Sequence, residues 1–150
     1  RYVGRTFIQP TQAMREMGIR IKLNPLPSVI AGKRLVVIDD SIVRGNTSKK
    51  LVAMLKAAGA AEVHLRIVSP EVRWPCFFGI DTDTRSQLIS ANKDLEETRA
   101  FIGCDSLAFI SLAGLHQAVQ ADHEGFCDAC FSGDYAVPIP DRLRRSAGLE

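Results

Sequence analysis

An unbroken apolar run, Leu35-Val-Val-Ile38, opens directly onto two acids, Asp39 and Asp40, and then onto Ser-Ile-Val-Arg-Gly-Asn-Thr-Ser at 41–48. A short continuous apolar run predicts a strand buried on both faces, as in a parallel sheet covered by helices. Asp39 and Asp40 then emerge at its carboxyl end, where open α/β sheets bind their ligands. Beyond them Gly45 permits close backbone approach, and Ser41, Thr47 and Ser48 supply hydroxyls. A helix beginning near Thr47 turns free amide N–H groups toward a phosphate. One element holds acids; the next holds an anion.

Carboxylates repel phosphate, so the two halves must serve different parts of one ligand. Ribose hydroxyls can donate to the acids, or a hydrated Mg²⁺ carrying a distant pyrophosphate can approach them, while the loop grips a 5′-phosphate. A ribose phosphorylated at both ends meets both demands. The segment resembles the phosphoribosyl pyrophosphate (PRPP) signature of type I phosphoribosyltransferases. That resemblance implies that Asp39 and Asp40 act on the ribose and Mg²⁺. It also implies that Ser41, Ile42, Val43, Arg44, Gly45, Asn46, Thr47 and Ser48 form the phosphate loop.

With 150 residues, 46% of them apolar and 24% charged, the chain is large enough for a core of its own. A net charge of +2 argues for neither nucleic acid nor a membrane surface. No stretch has the apolar length of a membrane span and no charged-then-apolar leader opens the chain, so a cytoplasmic location is expected. Arg1 stands in place of a Met and leads straight into a strand-like run. This predicts a piece of a longer protein.

After about residue 30 strands alternate with helices, the pattern of βαβ units over a parallel sheet. The strand at 34–38 is followed by a helix from Thr47 to Ala58, with Leu51, Met54, Leu55 and Ala58 on its inner face. Lys49, Lys50 and Lys56 face water, and Gly59 ends the helix. A strand at 62–68, helices at 83–91 and 94–102, a strand at 106–110 and a helix at 111–121 capped by Ser111 complete the order. The tail from Tyr135, rich in Pro, Arg and small residues, is expected to be extended or disordered. The fold class is therefore α/β, a parallel sheet flanked by helices. Its divisions are a loop region at 1–27, a core at 28–122 and a Cys-bearing segment with its tail at 123–150.

The first 27 residues break the regular pattern, with Arg1, Arg5, Arg15, Arg20 and Lys22 set against one acid and interrupted by Pro10, Pro25 and Pro27. They read as a mobile basic flap. The wording Arg1-Tyr-Val-Gly-Arg-Thr-Phe-Ile-Gln-Pro10 resembles the flexible loop of the amidophosphoribosyltransferases. So does the Gly-Ile-Asp-Thr-Asp-Thr-Arg stretch at 79–85, and the resemblance runs over nearly the whole chain. It implies an incomplete type I phosphoribosyltransferase fold with a C-terminal Cys-rich extension. It also implies that Tyr2, Arg5, Phe7 and Ile8 close over PRPP and line an ammonia channel.

Cys127 and Cys130 form a Cys-x-x-Cys unit, and Cys76 lies far off in sequence but can fold back beside it. Three soft ligands in a chain with no need of disulfides suggest a metal or cluster site. A redox Cys-x-x-Cys pair and a zinc site completed by His123 are the alternatives. Cys104, at the start of a strand, reads as a small core residue, and His64 and His116 as structural or surface residues. The family resemblance implies that Cys76, Cys127 and Cys130 hold three corners of a [4Fe–4S] cluster whose fourth ligand lies outside the chain.

The same resemblance implies a reaction in which ammonia displaces pyrophosphate from PRPP to give 5-phosphoribosylamine, the first step of purine biosynthesis. The ammonia comes from a glutaminase domain that these residues do not carry, and the full protein is a homo-oligomer. The fragment alone is expected to catalyse little. Two other classes stay open: a phosphoribosyltransferase acting on a nucleobase, and a non-catalytic PRPP-binding or iron–sulfur module.

Overall fold

In β1 (Arg34–Asp39) Leu35, Val37 and Asp39 alternate inward with Arg34, Val36 and Ile38 outward. The strand belongs to a computed structural model that describes residues 24–82, 84–119 and 125–149. A short helix, α1 (Pro27–Ile30), precedes it, and α2 (Asn46–Ala57) carries the chain to β2 (Glu62–Ile67). A 3₁₀ turn (Arg85–Gln87), α3 (Ile89–Asn92) and α4 (Leu95–Ile102) then lead to β3 (Ser106–Phe109) and α5 (Leu112–Ala118). Two further short helices, α6 (Ala129–Ser132) and α7 (Asp141–Ser146), close the described chain.

The three strands are parallel in the order β1-β2-β3, with Leu35 opposite Val63, Asp39 opposite Ile67, and Ile67 opposite Phe109. Helices cover one face. There Val63, Leu65, Ile67 and Leu107 meet Ile42, Val52, Ile89, Ile102 and Cys104, with Val37, Leu55 and Phe101 packed around them. Cys104 is a small core residue, as its apolar setting predicts. Asp105 fixes the entry to β3, its Oδ2 accepting from Val63 N at 2.7 Å while Lys56 Nζ lies 3.3 Å from the same oxygen.

Four expectations are corrected. The run Leu35–Ile38 is not buried on both faces: Val36 is 65% and Ile38 70% exposed, because the helices among the described residues cover only the opposite face. In α2 the fully buried residues are Ser48 and Val52, whereas the anticipated Leu51, Met54, Leu55 and Ala58 are half-buried, Leu55 packing against the core. Of its lysines, Lys49 and Lys56 are exposed as expected, Lys49 with its ammonium 4.4 Å from the centroid of the Phe101 ring, and Lys50 is half-buried.

The single helix expected at 83–91 is broken at Leu88. Ile89 N donates to Val43 O at 2.9 Å instead of continuing the helical ladder, and Asn92 Nδ2 donates to the carbonyls of Arg85, Ser86 and Leu88. The tail from Tyr135 is not merely extended either. Within it α7 forms, Ala147 and Leu149 are buried, and Ala147 O accepts from Arg85 N at 2.9 Å.

Side-chain caps start two of the helices, of which the sequence names the one at Ser111. Asp94 Oδ1 accepts from Glu97 N at 2.8 Å and Glu97 Oε2 from Asp94 N at 3.0 Å, a reciprocal capping box that starts α4. Ser111 Oγ accepts from Gly114 N at 3.0 Å and starts α5. On the uncovered face a polar chain crosses all three strands. Arg34 Nε donates to Glu62 Oε2 at 2.7 Å, and His64 stands 2.8 Å from both that oxygen and Ser106 Oγ. Arg66 also donates to Ser106 Oγ, at 3.0 Å.

Candidate functional site

Because β1 ends at Asp39, the two acids occupy the rim where the strand gives way to loop. Asp39 Oδ1 accepts from Asp40 N at 3.0 Å, and Asp40 Oδ1 accepts from Ser41 N at 2.6 Å and from Ser41 Oγ at 3.2 Å. Partial burial pushes the Asp39 carboxyl above its usual range; the hydrogen bond from Asp40 N opposes this, and the neighbouring Asp40 charge adds to it. The pair thus concentrates negative charge at one point. Donors that relieve it, such as ribose hydroxyls or a hydrated cation, are favoured there.

The loop after the acids is anchored rather than free. Ile42 is buried in the core, Val43 O is held by Ile89 N, and Arg44 Nε donates to Gln87 Oε1 at 2.8 Å. Gly45 takes the N-cap position of α2 with φ 74°, a left-handed conformation that disfavours any side chain. A Cβ there would lie 2.8 Å from Ile89 Cδ1 and 3.2 Å from Phe101 Cε1, so two packed side chains demand glycine as well. A glycine cap also brings no side-chain acceptor to the first turn of a twelve-residue helix, and its amides are left for an anion. Asn46 and Thr47 are exposed beside them, whereas Ser48 is turned into the core at 4% exposure.

Of the eight loop residues singled out in the sequence, Ile42 and Ser48 therefore act as anchors. Asn46 and Thr47 are exposed beside the helix start, while Ser41, through Asp40, belongs with the acids. Gln87, Ile89 and Phe101 support the loop without having been singled out. For Ile89 and Phe101 the only sequence signal is the apolar pattern of 88–102, which predicts burial but not the neighbour buried against; the polar Gln87 carried none.

A second cluster forms where residues 73–76 return to 127–130. Cys130 O accepts from Arg73 N at 3.0 Å and Trp74 N at 3.1 Å, Phe77 packs edge-on to Tyr135, and Tyr135 OH donates to Pro75 O at 2.8 Å. All four cysteines are free thiols. Burial, and then the proximity of Cys76 and Cys127, push the Cys130 thiol up to about 11. Soft thiolate donors of this kind suit iron–sulfur or zinc rather than magnesium.

Among the described residues no group of three or more His, Cys, Asp or Glu side chains is arranged to hold a metal ion. His116 Nε2 lies 3.2 Å from Asp128 Oδ2 and ties α5 to this cluster, and His64 serves the strand-crossing chain. His123 and the flap residues Tyr2, Arg5, Phe7 and Ile8 lie outside the described residues.

No family model matches the chain. Among curated proteins it is 59% identical over 146 residues to an amidophosphoribosyltransferase of Synechococcus elongatus, covering 97% of this chain and 30% of that protein. It is 55% identical over 144 residues to the enzyme of that name from Mycobacterium tuberculosis, covering 93% and 27%. Amidophosphoribosyltransferase 2, chloroplastic, of Arabidopsis thaliana is 51% identical over 145 residues, covering 96% and 26%. The chain spans about 30% of the length of the first of these relatives. A solved structure, the glutamine PRPP amidotransferase from B. subtilis complexed with ADP and GMP, superposes with a TM-score of 0.78 at 50% identity. That match covers 94% of this chain and 32% of the other.

Proposed function

We propose, from the premise that this chain belongs to the amidophosphoribosyltransferases along the segment it shares with them, that it carries the ribose- and phosphate-binding part of a PRPP site. One observation supports this above others: the acid pair on the rim of β1 runs directly into the uncapped, glycine-started turn of α2. In the whole protein, ammonia displaces pyrophosphate at the anomeric carbon, yielding 5-phosphoribosylamine for purine biosynthesis. The substrate supplies the leaving group and ammonia is the nucleophile, so these residues need supply neither.

Their work is positioning and charge management. Asp39 and Asp40 accept from the ribose 2′- and 3′-hydroxyls and hold the ring so that the anomeric carbon faces the incoming ammonia. The amides of 46–48, with Thr47 and Arg44, fix the 5′-phosphate. Tyr2, Arg5, Phe7 and Ile8 close over the bound sugar and exclude water, which would otherwise trap the ribosyl cation. Mg²⁺ would supply charge for the departing pyrophosphate, with Asp39 and Asp40 reaching its hydration shell. Cys76, Cys127 and Cys130 would hold a [4Fe–4S] cluster only by drawing together from the described arrangement, which forms no metal-holding group, and with a fourth ligand from outside the chain. The protein works in the cytoplasm as a homo-oligomer, fed with ammonia by a glutaminase domain.

The test is ammonia- and PRPP-dependent release of pyrophosphate by the full-length protein. Replacing Asp39 and Asp40 together by Asn is expected to lower turnover on the order of a hundredfold while the circular dichroism spectrum stays that of the parent. Undiminished turnover defeats the assignment. Release that requires a nucleobase rather than ammonia transfers the site to the other phosphoribosyltransferase class.

A further inference from the structure

Three contacts reach the phosphate loop from residues 87–101. Ile89 N donates to Val43 O at 2.9 Å, Gln87 Oε1 accepts from Arg44 Nε at 2.8 Å, and Ile89 and Phe101 close over Gly45. The segment bearing Gln87 is itself fixed at both ends. On one side Arg85 N donates to Ala147 O and the Arg85 guanidinium lies 4.3 Å from the centroid of the Trp74 ring. On the other, Asn92 gathers the carbonyls of Arg85, Ser86 and Leu88. Gln87 is thus an exposed side chain on a rigid support.

A guanidinium is a planar fork with five N–H donors, so a partner that holds Nε–H sets the plane in which the other four point. A neutral amide oxygen does this without cancelling the charge, whereas a freely rotating arginine loses entropy each time it orders on a ligand. We infer that Gln87 is a positioning residue. By accepting from Arg44 Nε it pre-orients the outer donors of Arg44 for the phosphate end of a phosphorylated ribose. The inference rests on the ribose-phosphate reading of the loop and adds to it a residue that makes no ligand contact of its own.

The unmodified full-length protein, Gln87→Leu, Arg44→Ala and the double variant are titrated with PRPP and Mg²⁺. NMR follows the Arg44 Nε–H resonance and the backbone amides of 41–48. In ligand-free Gln87→Leu the Arg44 Nε–H signal is expected to shift and to exchange faster with water, with little change in melting temperature. Its Kd for PRPP should rise about fivefold, the worth of one net hydrogen bond. In the Arg44→Ala background Gln87→Leu should add no further loss. An Arg44 signal indifferent to Gln87→Leu, an unchanged Kd, or losses that simply add overturn the proposal. If the unmodified full-length protein shows no PRPP-dependent shifts at 41–48, the ribose-phosphate reading falls and takes this inference with it. The ligand-free Arg44 signal separates that outcome from a failure of the Gln87 contact alone.

Discussion

At Gly45 two independent constraints coincide, a left-handed backbone and two side chains closing to within contact of an absent Cβ. Gly45→Ala is therefore expected to cost about 1 to 3 kcal/mol, read as a lower urea midpoint, and to weaken PRPP binding because the helix start must move. The sequence suggested glycine for close approach of a ligand. The packing demand from Ile89 and Phe101 was illegible, because it depends on which residues far along the chain fold back onto the loop. Cys130 gives a second residue-scale prediction. Its thiol titrates at 9.0 when unperturbed and near 11 in the fold, so the folded state holds its proton more tightly. The resulting stability is complete below pH 9.0 and is lost as pH rises toward about 11. Urea midpoints of the reduced protein should fall across that window, and Cys130→Ser should flatten the decline.

Among the elements, the ones written by local rules were legible and the ones written by distant partners were not. Asp94 with Glu97, and Ser111, announce helix starts through chemistry confined to one turn, and α4 and α5 begin where those residues stand. The break at Leu88 depends on the carbonyl of Val43, and the end of α7 is tied down by the bond from Arg85 N to Ala147 O, neither of which a local pattern encodes. The Arg-rich composition of the tail concealed two small apolar anchors, Ala147 and Leu149, at its end. Leu149→Ala is expected to cost about 2 to 3 kcal/mol by leaving a cavity where a buried leucine stood. Trp74 is the only tryptophan and sits against Arg85, so a red shift of its emission at lower denaturant in the variant checks this. Emission that melts identically in both proteins would show that α7 contributes nothing to the fold.

At the scale of the whole molecule the parallel α/β class was legible from the alternation of apolar runs with amphipathic ones. The open face of the sheet was not, since Val36 and Ile38 read as core in any local window. In the described residues they lie 65% and 70% exposed beside Val68. Apolar surface of this kind drives association. The isolated chain is expected to self-associate at high micromolar concentration, and Val36→Thr with Ile38→Lys should shift sedimentation toward the monomer without altering the cooperative melt. Register adds a last point: Asp39, Ile67 and Phe109 stand level across β1, β2 and β3. The connections that leave β1 and β2 start from this common sill and meet again at Val43, Arg44 and Gly45, where Ile89, Gln87 and Phe101 hold them. Rewriting the stretch between β2 and β3 therefore re-aims the loop after β1 as well, and the two must change in concert.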